Sequence, residues 1–362
     1  MMDGRSYEQL VAGGTREGST WRINLDAREI SGYLEYQAAE KSAEGRLYAR
    51  LARLVLAPSA TAQVEKLLDV QPESVPALDV VVGDLELLGK RLGRVEMEAV
   101  NRGARNWRLN KLSMSVPEAR FTAVGNWAQP VELANSRTLV APGRRTLMDF
   151  KLEIDDAGAL LGRLGMKDLV RRGRGKLEGQ VVWRGSPLAI DYPTLDGTFL
   201  VNVEGGQFLK ADPGIAKLLG VLSLQSLPRR LLLDFRDVFS EGFAFDFVRG
   251  DVQIKQGIAS TNNLQMKGVN AAVLMEGQVD INKETQNLKV VVVPEINAGT
   301  ASLITSWINP VAGLTSFLAQ LLLRQPLIES ATQEFRIDGS WADPRVVRTD
   351  AANGDAKKGN KP

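Results

Sequence analysis

Apolar and polar residues alternate at a period of two in segment after segment of this chain, and that pattern restricts what it can fold into. Met148, Phe150, Leu152 and Ile154 alternate with Asp149, Lys151 and Glu153. Leu177, Val181 and Trp183 alternate with Lys176, Glu178, Gln180 and Arg184. Phe243, Phe245 and Phe247 form a third row, with Val252 and Ile254 in a short segment after it. Val269, Ala271, Val273, Met275, Val279 and Ile281 form a fourth, and Val290 and Val292 a fifth. Successive side chains of a strand point to opposite faces, so each of these strands has one apolar side. Apolar surface left in water forfeits about 25 cal/mol per Å², and a large exposed patch promotes aggregation. The apolar sides must meet a second sheet, helices, or something that is not protein.

The rest of the chain continues the pattern. Segments 21–25, 30–36, 47–51, 105–112, 120–127 and 198–204 read as half-buried strands, and 78–88 and 94–100 as a pair around Gly89-Lys90. Turn signals recur every eight to fifteen residues, with Gly205-Gly206 as a tight turn, and most gaps are too short for a crossover helix. The expected fold is mainly β: an elongated, curved antiparallel sheet with a few amphipathic helices, the largest near the C-terminus. Residues 1–18 read as a linker-like start, 19–345 as the β region and 346–362 as a disordered tail.

Helical segments are few. Residues 60–69 suit a short helix. Asp155-Asp156 caps another carrying Leu160, Leu161 and Leu164, with Gly165 to end it. Asp212-Pro213 opens a third. The unusual segment is 296–323, which contains no Asp, Glu, Lys or Arg. Ile304, Trp307, Ile308, Val311, Leu314, Leu318 and Leu321 share a helical face, with Phe317 beside them, and Asn309-Pro310 should kink or split it. Its many Ser, Thr and Asn residues argue against a membrane span. It is expected to close the end of the apolar surface or to touch a membrane.

Composition removes whole classes of chemistry. Cysteine and histidine are both absent, so thiolate nucleophiles, disulfides, imidazole bases and the commonest transition-metal ligands are excluded. No loop has the oxygen-ligand spacing of a calcium site, and no catalytic constellation, metal or cofactor is expected. A net charge of +2 over 362 residues gives no footprint for nucleic acid. The short basic run Arg171, Arg172, Arg174 and Lys176 reads as a solvated loop before a strand.

Two runs carry a family resemblance. GTFLVNVEGGQFLKADPGIAKLLGVLSLQSLPRRL, from residue 197, is followed by DVFSEGFAFD, and later by VLMEGQVDINKETQNLKVVVVPEI and the uncharged segment. This resembles the C-terminal region of AsmA-like bacterial envelope proteins, the YhdP branch above all, most specifically over 197–344. The resemblance implies a periplasmic protein held in the inner membrane by an N-terminal segment outside this sequence. It implies a taco-like groove that shields phospholipid acyl chains between inner and outer membranes, with membrane contact at one or both ends. On that reading Met148, Phe150, Leu152, Ile154, Leu177, Val181, Trp183, Phe243, Phe245, Phe247, Val252, Ile254, Val290 and Val292 line the groove. The related TamB branch suggests an alternative, a scaffold for outer-membrane proteins that pairs with a partner through a sheet edge. A closed β-sandwich with a filled core is the third reading.

Overall fold

The computed structural model describes residues 10–39, 44–56, 75–102, 106–128, 144–187, 189–209, 243–269, 271–294, 308–324 and 332–349. The expected helices at 60–69 and 212–222 and the C-terminal tail lie outside these residues. The fold is mainly β, as expected, with seventeen strands among the described residues in one hydrogen-bonded sheet. In order they are β1 (Val11–Glu17), β2 (Thr20–Asp26), β3 (Ile30–Gln37), β4 (Arg46–Leu56), β5 (Ala77–Leu87), β6 (Lys90–Asn101), β7 (Asn106–Val116), β8 (Ala119–Ala128) and β9 (Arg145–Ile154). There follow β10 (Val170–Arg184), β11 (Asp196–Phe208), β12 (Phe243–Lys255), β13 (Ile258–Gly268), β14 (Ala271–Asp280), β15 (Thr285–Pro294), β16 (Gln333–Ser340) and β17 (Pro344–Arg348). Two α-helices are described, α1 (Ala157–Arg163) and α2 (Gly313–Arg324).

The chain divides into two compact units. The first holds residues up to Asp155 with Arg163–Gly165 and Glu178–Gly197, and the second holds Asp156–Gly162, Met166–Leu177 and the chain from Thr198 onward. Pairing in both follows the sequence order, and two hairpins show why the turns are tight. Leu88-Gly89 between β5 and β6 and Gln256-Gly257 between β12 and β13 place both central residues in the left-handed region (φ 52° and 74°, 49° and 76°). That is the backbone of a two-residue hairpin whose twist matches its strands.

Several elements differ from expectation. Among the strand pairs whose register is described, all are antiparallel but one: β4 and β5 run parallel, with Leu51 opposite Val82. A parallel pair needs a connection of a dozen or more residues, and residues 57–76 supply one. Val11–Glu17, within the expected linker-like start, is an exposed strand paired with β2. Gly205-Gly206 does not turn the chain, because β11 runs through it. Gly205 takes φ 65°, as at a bulge, and a Cβ on Gly206 would strike the Phe245 ring. The basic run at 171–176 is strand, not loop. β16 and β17 follow the uncharged segment, with Phe335 and Ile337 alternating with Glu334, Arg336 and Asp338.

The α1 start matches its sequence signal. The Ala159 N–H donates to Asp156 Oδ1 at 2.9 Å, satisfying one of the free donors of the first turn. At its end Arg163 donates both Nε and Nη2 to the Glu118 carboxylate of the β7–β8 turn, the latter at 3.0 Å. Arg163 holds the Glu118 carboxyl below the ordinary carboxylate range, against the opposing effect of burial. A depressed pKa in the folded state adds stability above the unfolded value near 4.3, which is lost as pH falls through the folded value. Glu118→Gln is therefore expected to cost about 1–2 kcal/mol at pH 7 and less at pH 3, below the unfolded value. Urea unfolding at the two pH values checks this.

Candidate functional site

In the first unit, strand register assembles the alternating residues into rows. Ile23 faces Leu34, and the row continues through Ala49, Val80, Met97, Leu112 and Ala123 to Phe150. A second row runs from Leu25 and Gly32 through Leu51, Val82, Val95, Met114 and Phe121 to Leu152. Directly opposite residues share a face, so β2 to β9 present one apolar surface without a charged side chain in either row. The reverse face is ionic, with Arg50 and Asp79 2.7 Å apart and Lys111 and Glu96 2.9 Å apart. Hydrogen bonds from Lys111 first, and then Arg94, hold the Glu96 carboxyl below its usual range.

Packing within this surface is sideways. Ala49, Leu51, Val82, Leu85 and Val95 are buried against half-buried neighbours such as Val80, Leu112 and Met114. Phe121 and Phe150 stack with ring centroids 6.2 Å apart. At one end Trp107 lies directly opposite Trp127, within a buried cluster with Ala99 and Leu109. Trp107 donates its indole N–H to the Pro76 carbonyl at 3.2 Å, and the Arg144 guanidinium lies 4.4 Å from the Trp127 ring centre. Among the described residues no helix side chain enters either cluster. The surface therefore keeps a half-exposed apolar skin that includes Met97, Leu112, Phe121, Met148, Phe150 and Leu152.

The residues singled out in the first unit fall on this face. Met148, Phe150, Leu152 and Ile154 pair with Gly125, Ala123, Phe121 and Ala119 of β8. Gln180 donates to Asp149 Oδ1 at 2.7 Å on the reverse face, which places Val181 and Trp183 on the side of Phe150. Trp183 is fully buried, with its indole N–H donated to the Ser186 and Ala189 carbonyls at 2.9 Å. The members of the long rows in β2 to β8 were not singled out, although they carry the same period of two.

The second unit has an apolar face of its own. Met266 faces Val273, then Val292 and Gln333. Leu264 faces Met275, then Val290 and Phe335. Phe243, Phe245 and Ile337 join Val273, Val290 and Val292 in one buried cluster, with Phe208 and Val203 packed against it. Ile254, opposite Ala259 and Val279, continues this face together with Val252. Leu177 lies near it, two residues beyond Gly175, which abuts Val203.

Phe247 is the exception. The β12–β13 register slips between Phe245 and Phe247, so that Val248 rather than Phe247 sits opposite Met266. A one-residue slip moves the following side chains to the other face. Phe247 stands on the reverse side, with the Arg249 guanidinium 4.0 Å from its ring centre.

The uncharged segment also takes the reverse side. Ile308, Leu314, Leu318 and Leu321 pack against Ala272, Leu274, Val291 and Val293, the residues that alternate with the cluster just described. Phe317 lies half-buried beside them. Strands β14 and β15 are thus buried on both sides, which is why Ala271–Leu274 and Val290–Val293 read as unbroken apolar runs. Two asparagines of β13 hold the helix lead-in: Asn262 donates to the Pro310 carbonyl at 2.7 Å and Asn263 to that of Ile308 at 3.5 Å. Among the described residues the helix of this segment begins at Gly313, after Pro310, and Val311, in the turn before it, is 93% exposed instead of sharing the buried stripe. Ile304 and Trp307 lie outside the described residues. Among those residues no helix is long and apolar enough to cross a membrane.

Comparison with known proteins adds three findings. The sequence matches the family described as "YhdP protein" over residues 3–346. It is 28% identical over 260 residues to the intermembrane phospholipid transporter YhdP of Escherichia coli strain K12, covering 71% of this chain and 20% of that protein. The chain thus spans about one fifth of that relative's length. No solved structure matches it.

Proposed function

Because this chain belongs to the YhdP protein family, we propose that its apolar sheet faces shield the acyl chains of phospholipid in transit between the two membranes of a bacterial envelope. The observation that carries this reading is the pair of apolar rows across β2 to β9, with no helix side chain packed into its clusters among the described residues. Hydrocarbon is the occupant such a surface suits: it needs no hydrogen-bond partners, and covering the surface recovers the free energy that water withholds. The relative of E. coli is named for intermembrane phospholipid transport, which supports the same choice. On this reading the protein works in the periplasm without catalysis, as one stretch of a longer bridge anchored in the inner membrane and touching a membrane at one or both ends.

The test uses a photo-crosslinking amino acid at Met97, on the apolar face, and at its neighbour Glu98, on the ionic face. In a bacterial envelope the first is expected to give a phospholipid adduct and the second none. Equal labelling at both positions, or no lipid at Met97 while native mass spectrometry finds the purified chain lipid-free, would overturn the proposal.

A further inference from the structure

The apolar face of the first unit has unlike ends. At one end Trp21 lies opposite Tyr36, and their row continues through Leu47, Leu78, Ala99 and Leu109. One step further out Trp107 lies opposite Trp127, which lies opposite Thr146. Thr146 donates to the carbonyl of Gly185, two residues after Trp183. Among the described residues, all four tryptophans of this unit thus gather at one end. The other end of the same strands is aliphatic, with Leu54, Leu56, Leu85 and Leu92, and Ala119 opposite Ile154.

Trp and Tyr collect where one part of the ring meets hydrocarbon and the other meets water. Trp107 and Trp127 are buried, but over β1 to β3 the aromatic end is open, with Trp21 42% and Tyr36 40% exposed. Arg16 of β1 lies directly opposite Trp21. Its guanidinium stands 4.7 Å from the ring centre, and its Nε donates to the Gly18 carbonyl at 3.1 Å. These contacts hold a cation at the rim of an apolar face whose next pair inward is Ile23 and Leu34.

Resting on the lipid reading above, we propose that Arg16, Trp21 and Tyr36 form the headgroup site of a phospholipid held on this face. Arg16 takes the phosphate, the two rings take the glycerol boundary, and the acyl chains run inward along the strands. A guanidinium suits phosphate oxygens, to which it presents several N–H donors, while the two rows inward of the site carry no charged side chain. The length fits as well. From Leu47 to Leu56 in β4 is roughly 30 Å at 3.3 Å per residue, and the chains of one leaflet reach about 15 Å, half the hydrocarbon core of a bilayer. Chains laid in from the aromatic end are covered whole, and the lipid has one sense on the sheet.

The test loads the purified chain from vesicles with phosphatidylglycerol carrying a diazirine either in the headgroup or at the end of one acyl chain. Labelled peptides are identified by mass spectrometry. The headgroup probe is expected to label β1 to β3 around Trp21 and Tyr36, and the chain-end probe to label residues further along the strands, such as Leu25 and Ile30. Native mass spectrometry then counts retained phosphatidylglycerol beside diacylglycerol of the same chains, which lacks the phosphate. Arg16→Gln, in a fully exposed strand, is expected to lower phosphatidylglycerol about threefold, the scale of an exposed ion pair, and to leave diacylglycerol unchanged. Headgroup labelling at Leu54, Leu56 and Leu92 instead, or an Arg16→Gln chain that loses both lipids equally or neither, overturns the assignment while leaving the lipid reading intact. Labelling of the apolar face by neither probe overturns both.

Discussion

Phe150→Asp is expected to lower the phospholipid carried by the chain at least tenfold, with the fold intact. Phe150 is half-buried, opposite Ala123 and stacked beside Phe121, so in the lipid-free state a carboxylate there still reaches water. With hydrocarbon against the face it does not, and a charge without water or a partner costs several kcal/mol, about tenfold in affinity for each 1.4 kcal/mol. Lys151→Asp, one residue on and on the ionic side, changes the charge at almost the same place and is expected to leave lipid unchanged. Lipid content by native mass spectrometry, read beside the circular-dichroism melting curve, checks both. Full lipid content in a folded Phe150→Asp chain would remove this surface from the path. Phe245→Asp and Val292→Asp do not serve the same purpose: at 5% and 1% exposure they bury a charge in the folded state and would unfold the second unit before transport was tested.

The largest effect on stability is expected from Leu314→Ala. Leu314 has no exposed surface and fills the space over Leu274, Val291 and Val293. Truncating a leucine so placed costs its transfer free energy and the energy of the cavity left behind, about 3–4 kcal/mol together. Helix α2 has no acidic residue in its first turn to favour the dipole, so the apolar contact carries most of its attachment. Leu323→Ala, at 85% exposure, should shift stability by less than about 0.5 kcal/mol. Urea midpoints of the two variants give the comparison, and a small loss in Leu314→Ala would mean that α2 is not held by this contact.

Much of the fold was legible because a period of two, once buried on one side, leaves little freedom. Met148 to Ile154 and Leu78 to Val82 stand where their alternation puts them. The departures are places where alternation says nothing. The slip at Phe245–Phe247 is marked by neither glycine nor proline in β12 itself, and Gly268, opposite Phe245, belongs to the next strand, so three phenylalanines in register on paper divide between two faces in space. The parallel pairing of β4 and β5 leaves each strand's alternation unaltered and shows itself only through the length of the 57–76 connection. Both sides of β15 were written in Val290–Val293, yet a four-valine run gives no sign of which cover lies on which side. The long apolar rows of the first unit depend on register between strands, which a single strand does not encode. Gln333 is legible only in space: in sequence it is a polar residue before a strand, and its placement opposite Val292 makes it a buried amide.

Every strand whose register is described pairs with its neighbour in sequence, and this bears on how the chain folds. Contacts between adjacent strands close short loops, so each hairpin can form without waiting for distant partners. Growth of the sheet resembles the stepwise lengthening of a repeat protein, where stability is gained one neighbour at a time. A chain of this kind can begin to fold while its later strands are still being made, and the slower joins should be those that close long gaps: residues 57–76 before β5 finds β4, and residues 295–332 before β16 finds β15.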